Sequence, residues 1–150
     1  MRVFTTFEEI EAVAGEEIGT TDWVEITQER VNQFADATGD HQWIHVDEEK
    51  AKAGPFGGTI AHGYLTLSLV PWLTWEIYEV NGLAGALNYG LATVRFPSPA
   101  PVGALRRATA ELTSYAEVPG GGQAVFTCTS EIEGAPKPAC VAATIVRFFG

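Results

Sequence analysis

One stretch of the chain gathers ionisable side chains beside residues that break regular structure: Gly39-Asp40-His41-Gln42-Trp43-Ile44-His45-Val46-Asp47. Asp40 and His45 stand five positions apart. On a helix they would point about 140° from one another, and on a strand to opposite faces. They converge only where the backbone bends, and Gly39, with no helical or strand pattern over residues 40–45, permits a bend. A carboxyl and an imidazole brought together supply one group that holds a proton and one that titrates near neutrality. Adding water to a double bond, or removing it, needs such a pair. It also needs a donor for negative charge on an oxygen, which backbone N–H groups in the first turn of a helix provide. His62-Gly63 stands where a helix should begin, with Gly63 eighteen residues after His45. Having no side chain, Gly63 lets an oxygen come close to its N–H.

Each of these residues also has a plainer role. Asp40 after a helix-ending glycine is a good turn residue, and His45 can be a satisfied buried histidine. His62 reads as a helix-start or packing residue, and Asp47 as a helix cap. His41 and His45, four apart and joined by Asp40 or His62, would ligate a metal only from a helix. Gly39 and the Trp43-Ile44 pair argue against one, so no metal is expected. Gly120-Gly121-Gly122 is a hairpin turn rather than a phosphate loop, because no Lys-Ser/Thr follows it.

Positioning falls to the stretch Thr59–Val80, which has no Asp, Glu, Lys or Arg between Ile60 and Trp75. Tyr64, Leu65, Leu67, Leu69, Val70, Trp72, Leu73, Trp75, Ile77 and Tyr78 leave no polar face at helical spacing, so the rest of the chain must wrap it. From Gly63 to Tyr78 such a helix would run roughly 24 Å. Pro71 removes a donor and frees the carbonyl of Leu67, which predicts a kink or two helices joined end to end. Ahead of it, Thr6-Phe7-Glu8-Glu9 reads as a capping box, Asp22–Ile26 as a short strand, and Thr27 as the cap of a helix ending at Gly39. Asp47 caps a third short helix, Glu48–Ala53. After Asn81-Gly82 the pattern turns to period two: strands over Ala86–Phe96, Leu105–Val118, Gln123–Glu133 and Lys137–Phe149, with Gly90 a candidate bulge. In Leu105–Val118 the inward set is Ala108, Ala110, Leu112, Ala116 and Val118. Strands bunched at one end predict an α+β protein, an antiparallel sheet wrapped around a long central apolar helix. The exposed edges of so small a sheet predict a homodimer.

The 150 residues fit one domain over 1–150. Nineteen acidic residues against nine basic ones give a net charge of −10, which argues against a nucleic-acid partner. The apolar stretch is too short and interrupted for a membrane span. The amino terminus carries acids early and has no signal-peptide core. Cys128 and Cys140, on adjacent strands and without Cys-x-x-Cys spacing, are expected to be reduced. Both points predict a cytoplasmic protein.

These residues together resemble the MaoC-like, or (R)-specific enoyl-CoA hydratase, family of hotdog-fold proteins, and especially its nodulation protein N-like members. The family's hydratase motif runs Gly-Asp-x-Asn-Pro-apolar-His-x-Asp with an alanine four on; here the frame is Gly39-Asp40-His41-Gln42-Trp43-Ile44-His45-Val46-Asp47 with Ala51. Ala61-His62-Gly63 is similar to the start of the family's central helix, and Arg95-Phe96 with Pro101-Val102-Gly103 to its later segment. The resemblance implies a hotdog fold, an acyl-CoA thioester substrate, no cofactor, and Asp40 and His45 as the catalytic pair with the Gly63 amide on the thioester oxygen. Gln42 replaces the family's asparagine and Trp43 its proline; with His62 they are the candidate substrate-binding residues. The reaction implied is hydration of a trans-2-enoyl-CoA to the (R)-3-hydroxyacyl-CoA, reversibly. His45 is assigned to the water's proton and Asp40 to the α-carbon's, roles the residue types alone leave exchangeable. A thioesterase on the same scaffold and a non-catalytic acyl-CoA-binding or assembly subunit are the alternatives. Arg95, Arg106, Arg107 and Arg147 are the candidates for the coenzyme A phosphates, unranked by spacing.

Overall fold

The computed structural model describes residues 1–150. In chain order the elements are β1 (Arg2–Phe4), α1 (Phe7–Glu11), β2 (Glu16–Thr20), β3 (Val24–Glu25), α2 (Gln28–Thr38), α3 (Trp43–Val46), α4 (Glu48–Lys52), α5 (Gly63–Ser68) and α6 (Val70–Trp75), followed by β4 (Tyr78–Val80), β5 (Gly85–Arg95), β6 (Leu105–Val118), β7 (Gly121–Ile132) and β8 (Cys140–Phe149). The main sheet has six strands in the order β2-β6-β7-β8-β5, with β3 also on β6. All its pairings are antiparallel. The sheet curls about α5 and α6, the α+β arrangement expected from the pattern.

Strict alternation builds the inner face. Ala124, Phe126, Cys128, Ser130 and Ile132 point inward from β7, between half-exposed neighbours. Ala108 and Ala110 on β6 and Ala142 on β8 are small and fully buried, which lets the helices approach the sheet closely. One expectation fails here. A register shift between Leu112 and Ser114 adds a residue and reverses the facing of the strand beyond it. Ala116 is therefore exposed, and Tyr115 packs on the core in its place. The Gly90 bulge is present, as a shift between Asn88 and Gly90.

The central rod is two helices rather than one. Leu69 links them in helical conformation, at the level where Pro71 leaves the Leu67 carbonyl without its usual donor. The rod also ends sooner than its composition suggests. Tyr78 lies in β4, paired in parallel with β1, because the amino-terminal strand offers it a partner that no local pattern reveals. Nor is the rod wrapped on all sides. Leu65, Thr66, Val70, Leu73 and Thr74 are buried, whereas Tyr64 and Trp75 are 74% and 68% exposed. No helix is long and apolar enough to cross a membrane. Cys128 and Cys140 are buried and unbridged on neighbouring strands.

Candidate active site

A helix end and a single helical turn bring the pair together. Thr27 Oγ1 caps α2 by accepting from Arg30 N, and at the other end Gly39 takes φ +80° and donates to the Ala35 carbonyl. That left-handed step suits glycine and turns the chain out of α2. Asp40 follows, its Oδ1 accepting from Gln42 N at 3.3 Å. Residues 43–46 then form α3, a short helix where the sequence pattern suggested only an irregular bend. His45 lies within it and is buried; Asp40 remains exposed. Asp47 caps α4 as expected, accepting from Lys50 N at 3.0 Å.

The segment before α5 locks His45 in place. Ile60 N donates to the Ile44 carbonyl at 3.0 Å, and His45 Nδ1 donates to the Ile60 carbonyl at 2.6 Å. Gln28, which sequence reasoning missed, donates to the His45 carbonyl at 2.7 Å and accepts from Thr59 Oγ1 at 2.6 Å. It opens α2 and reads as an ordinary first-turn polar residue. Nothing local announces that its amide ties α3 to the strand-like segment at Thr59. That segment is held in turn by Ala61 N to the Ala100 carbonyl and Val102 N to the Thr59 carbonyl.

The hydrogen bonds fix two tautomers. With Nδ1 of His45 donating, its Nε2 carries the lone pair. His62 Nε2 donates to the Asp40 carbonyl at 2.9 Å, which leaves Nδ1 of His62 as an acceptor, buried and without a partner. The two rings stack with centres 3.9 Å apart and planes 25° apart, and Phe34 packs on the far side of His62. One polar atom from each of Asp40, His45 and His62 lies within 4.8 Å of the others. Burial is the main force holding the His45 pKa below 6.5; the neighbouring His62 adds to it, while the Ile60 carbonyl and Asp40 act the other way. The group is therefore neutral at physiological pH, with Nε2 free to accept a proton.

Three oxygen and nitrogen donors this close also resemble a metal set, but ring geometry speaks against it. An ion must lie in the plane of each imidazole that binds it. Planes 25° apart on rings 3.9 Å apart meet far outside bonding distance of either nitrogen. His41 is not at the site at all: it pairs with Asp36 at 2.9 Å on the surface, which raises its pKa.

Gly63 opens α5, and no side chain caps this end, so the first-turn N–H groups are without intrahelical partners. The ring of Phe96 lies 3.5 Å from where a Cβ on Gly63 would stand. Gln42 is exposed beside Asp40. Trp43 is turned away from the cluster: its ring lies against Gly54 and under the Lys50 ammonium, 4.7 Å from the ring centre. The four arginines separate clearly. Arg107 pairs with Glu131 and stacks on Trp23. Arg147 bonds Gln123 and stacks on Tyr89. Arg106 is buried. Arg95 is exposed, has no carboxylate or aromatic partner, and precedes Phe96 at the site's edge.

Residues 9–133 match the MaoC-like domain family. The 3-hydroxyacyl-thioester dehydratase Z of Mycobacterium tuberculosis is 56% identical over 149 residues, covering 99% of both chains. Nodulation protein N of Rhizobium leguminosarum bv. viciae is 42% identical over 140 residues, covering 89% of this chain and 86% of that one. Among solved structures, an (R)-hydratase from A. caviae superposes with a TM-score of 0.71 at 23% identity, covering 89% of this chain and 94% of that one. The shared architecture is the hotdog fold.

Proposed function

The chain belongs to the MaoC-like domain family, and from that premise we propose that it interconverts trans-2-enoyl thioesters and (R)-3-hydroxyacyl thioesters by adding or removing water. The observation that carries the reading is the meeting of Asp40, His45 and His62 within 4.8 Å beside the uncapped start of α5. The name of the Mycobacterium relative, a 3-hydroxyacyl-thioester dehydratase, supports the same reaction class.

In the hydration direction, a water between Asp40 and His45 gives a proton to His45 Nε2, and its oxygen adds to the β-carbon. Charge moves to the thioester oxygen, which the Gly63 N–H receives. The imidazolium passes that proton to the Asp40 carboxylate, which delivers it to the α-carbon, so both groups end as they began. Dehydration runs the same steps backwards. His62 holds the backbone of Asp40 and backs the ring of His45; its free Nδ1 offers a further acceptor to the water or the new hydroxyl. The enzyme is thus a hydro-lyase needing no cofactor. Coenzyme A is the proposed carrier, and Arg95, exposed and without a carboxylate partner, is the arginine we assign to its phosphates.

The same reading includes a homodimer. Strand β5 pairs only with β8 and is exposed on both faces along nearly its whole length, with Leu87, Tyr89 and Leu91 open to solvent and Leu87 sharing a hollow with the exposed Trp75 of the rod. An edge of this kind invites a second copy. The unbridged Cys128 and Cys140 support a reducing, cytoplasmic setting.

The test is turnover by the purified protein. Enoyl-CoAs of several chain lengths should lose their conjugated absorbance, with the (R)-alcohol as product. Persistent absorbance at high protein concentration sinks the proposal, and release of free thiol would indicate a thioesterase instead.

A further inference from the structure

Arg106 is unlike any other charged residue of this protein. It is 1% exposed, inside the core, and belongs to none of the ion pairs. Its strand neighbours are Val24 and Ile132, both apolar. Nη1 donates to Thr66 Oγ1 at 2.9 Å, while Nε and Nη2 have no partner. Burying a guanidinium without a counter-ion works strongly against folding, and an apolar side chain of the same volume usually replaces such a group without loss. Burial pulls its pKa down to about 10, which still leaves it charged at neutral pH.

Where the charge sits gives it a use. Thr66 is buried in α5, and its N–H donates to the His62 carbonyl at 3.0 Å. The guanidinium is thus one hydrogen bond from the turn that carries His62 and Gly63. A cation beside the positive end of a helix is unfavourable on a second count. Both unfavourable effects lessen when negative charge develops in front of that turn, in surroundings of low polarity where fields act strongly. We propose that Arg106, acting through Thr66, is a positioning residue for the thioester oxygen: it holds the first turn of α5 in register and lends its field to the charge that forms there. The inference rests on the hydratase reading and adds to it a residue outside the Asp40–His45 motif.

Arg106→Met, Arg106→Lys, Thr66→Val and the Arg106→Met/Thr66→Val double variant test it, with Arg107→Met as the surface control. Arg106→Met is expected to fold with a melting temperature at or above the wild type's. Its kcat should fall at least tenfold while KM stays within threefold. Arg106→Lys keeps the charge and should recover half or more of that loss on a logarithmic scale. Thr66→Val should lose kcat as well, and the double variant should lose no more than the larger single loss, as expected for two residues acting as one unit. The Gly63 amide resonance of the substrate-free protein should move in Arg106→Met and stay fixed in Arg107→Met. Arg106→Met turning over within threefold of the wild type overturns the proposal. So does a Lys variant no better than Met, a loss explained wholly by unfolding, or an unmoved Gly63 amide. Wild-type protein with no hydratase turnover refutes the reaction instead, and the amide shift then decides the positioning claim by itself.

Discussion

Gly63→Ala separates what the fold needs from what the chemistry needs. Gly63 is not among the glycines with positive φ, so its backbone conformation is one that alanine adopts freely. A Cβ there would stand 3.5 Å from the ring of Phe96, an ordinary van der Waals contact that requires nothing to move. Restricting the unfolded chain by this substitution stabilises by roughly 0.4–1 kcal/mol where the native conformation is compatible. In a protein of this size that raises Tm by about 1–4 °C. The methyl group, however, projects beside the N–H that the mechanism assigns to the thioester oxygen. Losing one such donor costs about 10²–10³ in kcat, or about 2.7–4 kcal/mol. The expected outcome is therefore a variant slightly more stable than the wild type and at least a hundredfold slower. Thermal unfolding and the disappearance of enoyl-thioester absorbance read the two quantities independently. A Gly63→Ala variant active within threefold would remove the Gly63 amide from the mechanism. One that melts well below the wild type would show that the glycine serves packing.

Asp40 is exposed, so Asp40→Asn should leave stability within about 0.5 kcal/mol while lowering kcat by about 10²–10⁴; differential scanning calorimetry beside turnover checks both. His45→Ala should lose activity on the same scale and also destabilise by about 1–3 kcal/mol, because it removes a buried ring stacked on His62. His45 must be neutral to accept a proton, and burial holds its pKa below 6.5; kcat/KM for hydration should rise with pH through that lowered value and be level by about pH 7. The unfolded chain protonates this group first as pH falls, so its share of stability is full above about 6.5 and is lost as pH drops from there through the folded-state value. His45→Gln should abolish both dependences, as a pH series of turnover and urea unfolding would read. Arg95→Ala should raise KM several-fold for coenzyme A esters and leave that for pantetheine esters unchanged. Sedimentation should give a dimer that Leu91→Lys on β5 converts to monomer, and a wild-type monomer at all concentrations removes the dimer.

What the sequence reveals and what it hides divide along a physical line. The caps are legible because a helix end is satisfied by residues within four positions of it. Thr6 accepts from Glu9 N, Thr27 from Arg30 N and Asp47 from Lys50 N, and Gly39 takes the left-handed turn at the end of α2. Strands β6 to β8 are legible because alternation repeats over about eight residues or more. The elements that stay hidden are those made by distant partners. β1 and β4 are three residues each, and each is a strand only because the other is there. β2 has no alternation of its own and follows the edge of β6. The bulge at Leu112–Ser114 reverses a facing that the local pattern states with apparent clarity.

The site divides in the same way, and its hidden half governs how the legible half works. The motif spacing names Asp40 and His45 without saying which nitrogen of His45 carries the proton. That is settled by the Ile60 carbonyl, fifteen positions on, and Ile60 is held in turn by Ile44 and by an isolated antiparallel bridge to Pro101. Gln28 reaches the same histidine's carbonyl from the start of a different helix. A base needs its lone pair aimed as well as present, so the nitrogen proposed to react is fixed by residues outside the Asp40–His45 motif. Arg106 carries the point furthest. On sequence it is one of two adjacent arginines on a strand. Period two sends Arg107 to the surface and a Glu131 partner, and Arg106 inward against Thr66. A cation kept where an apolar residue would fold more readily has to be accounted for by something other than folding, and the turn carrying Gly63 is what it is bonded to.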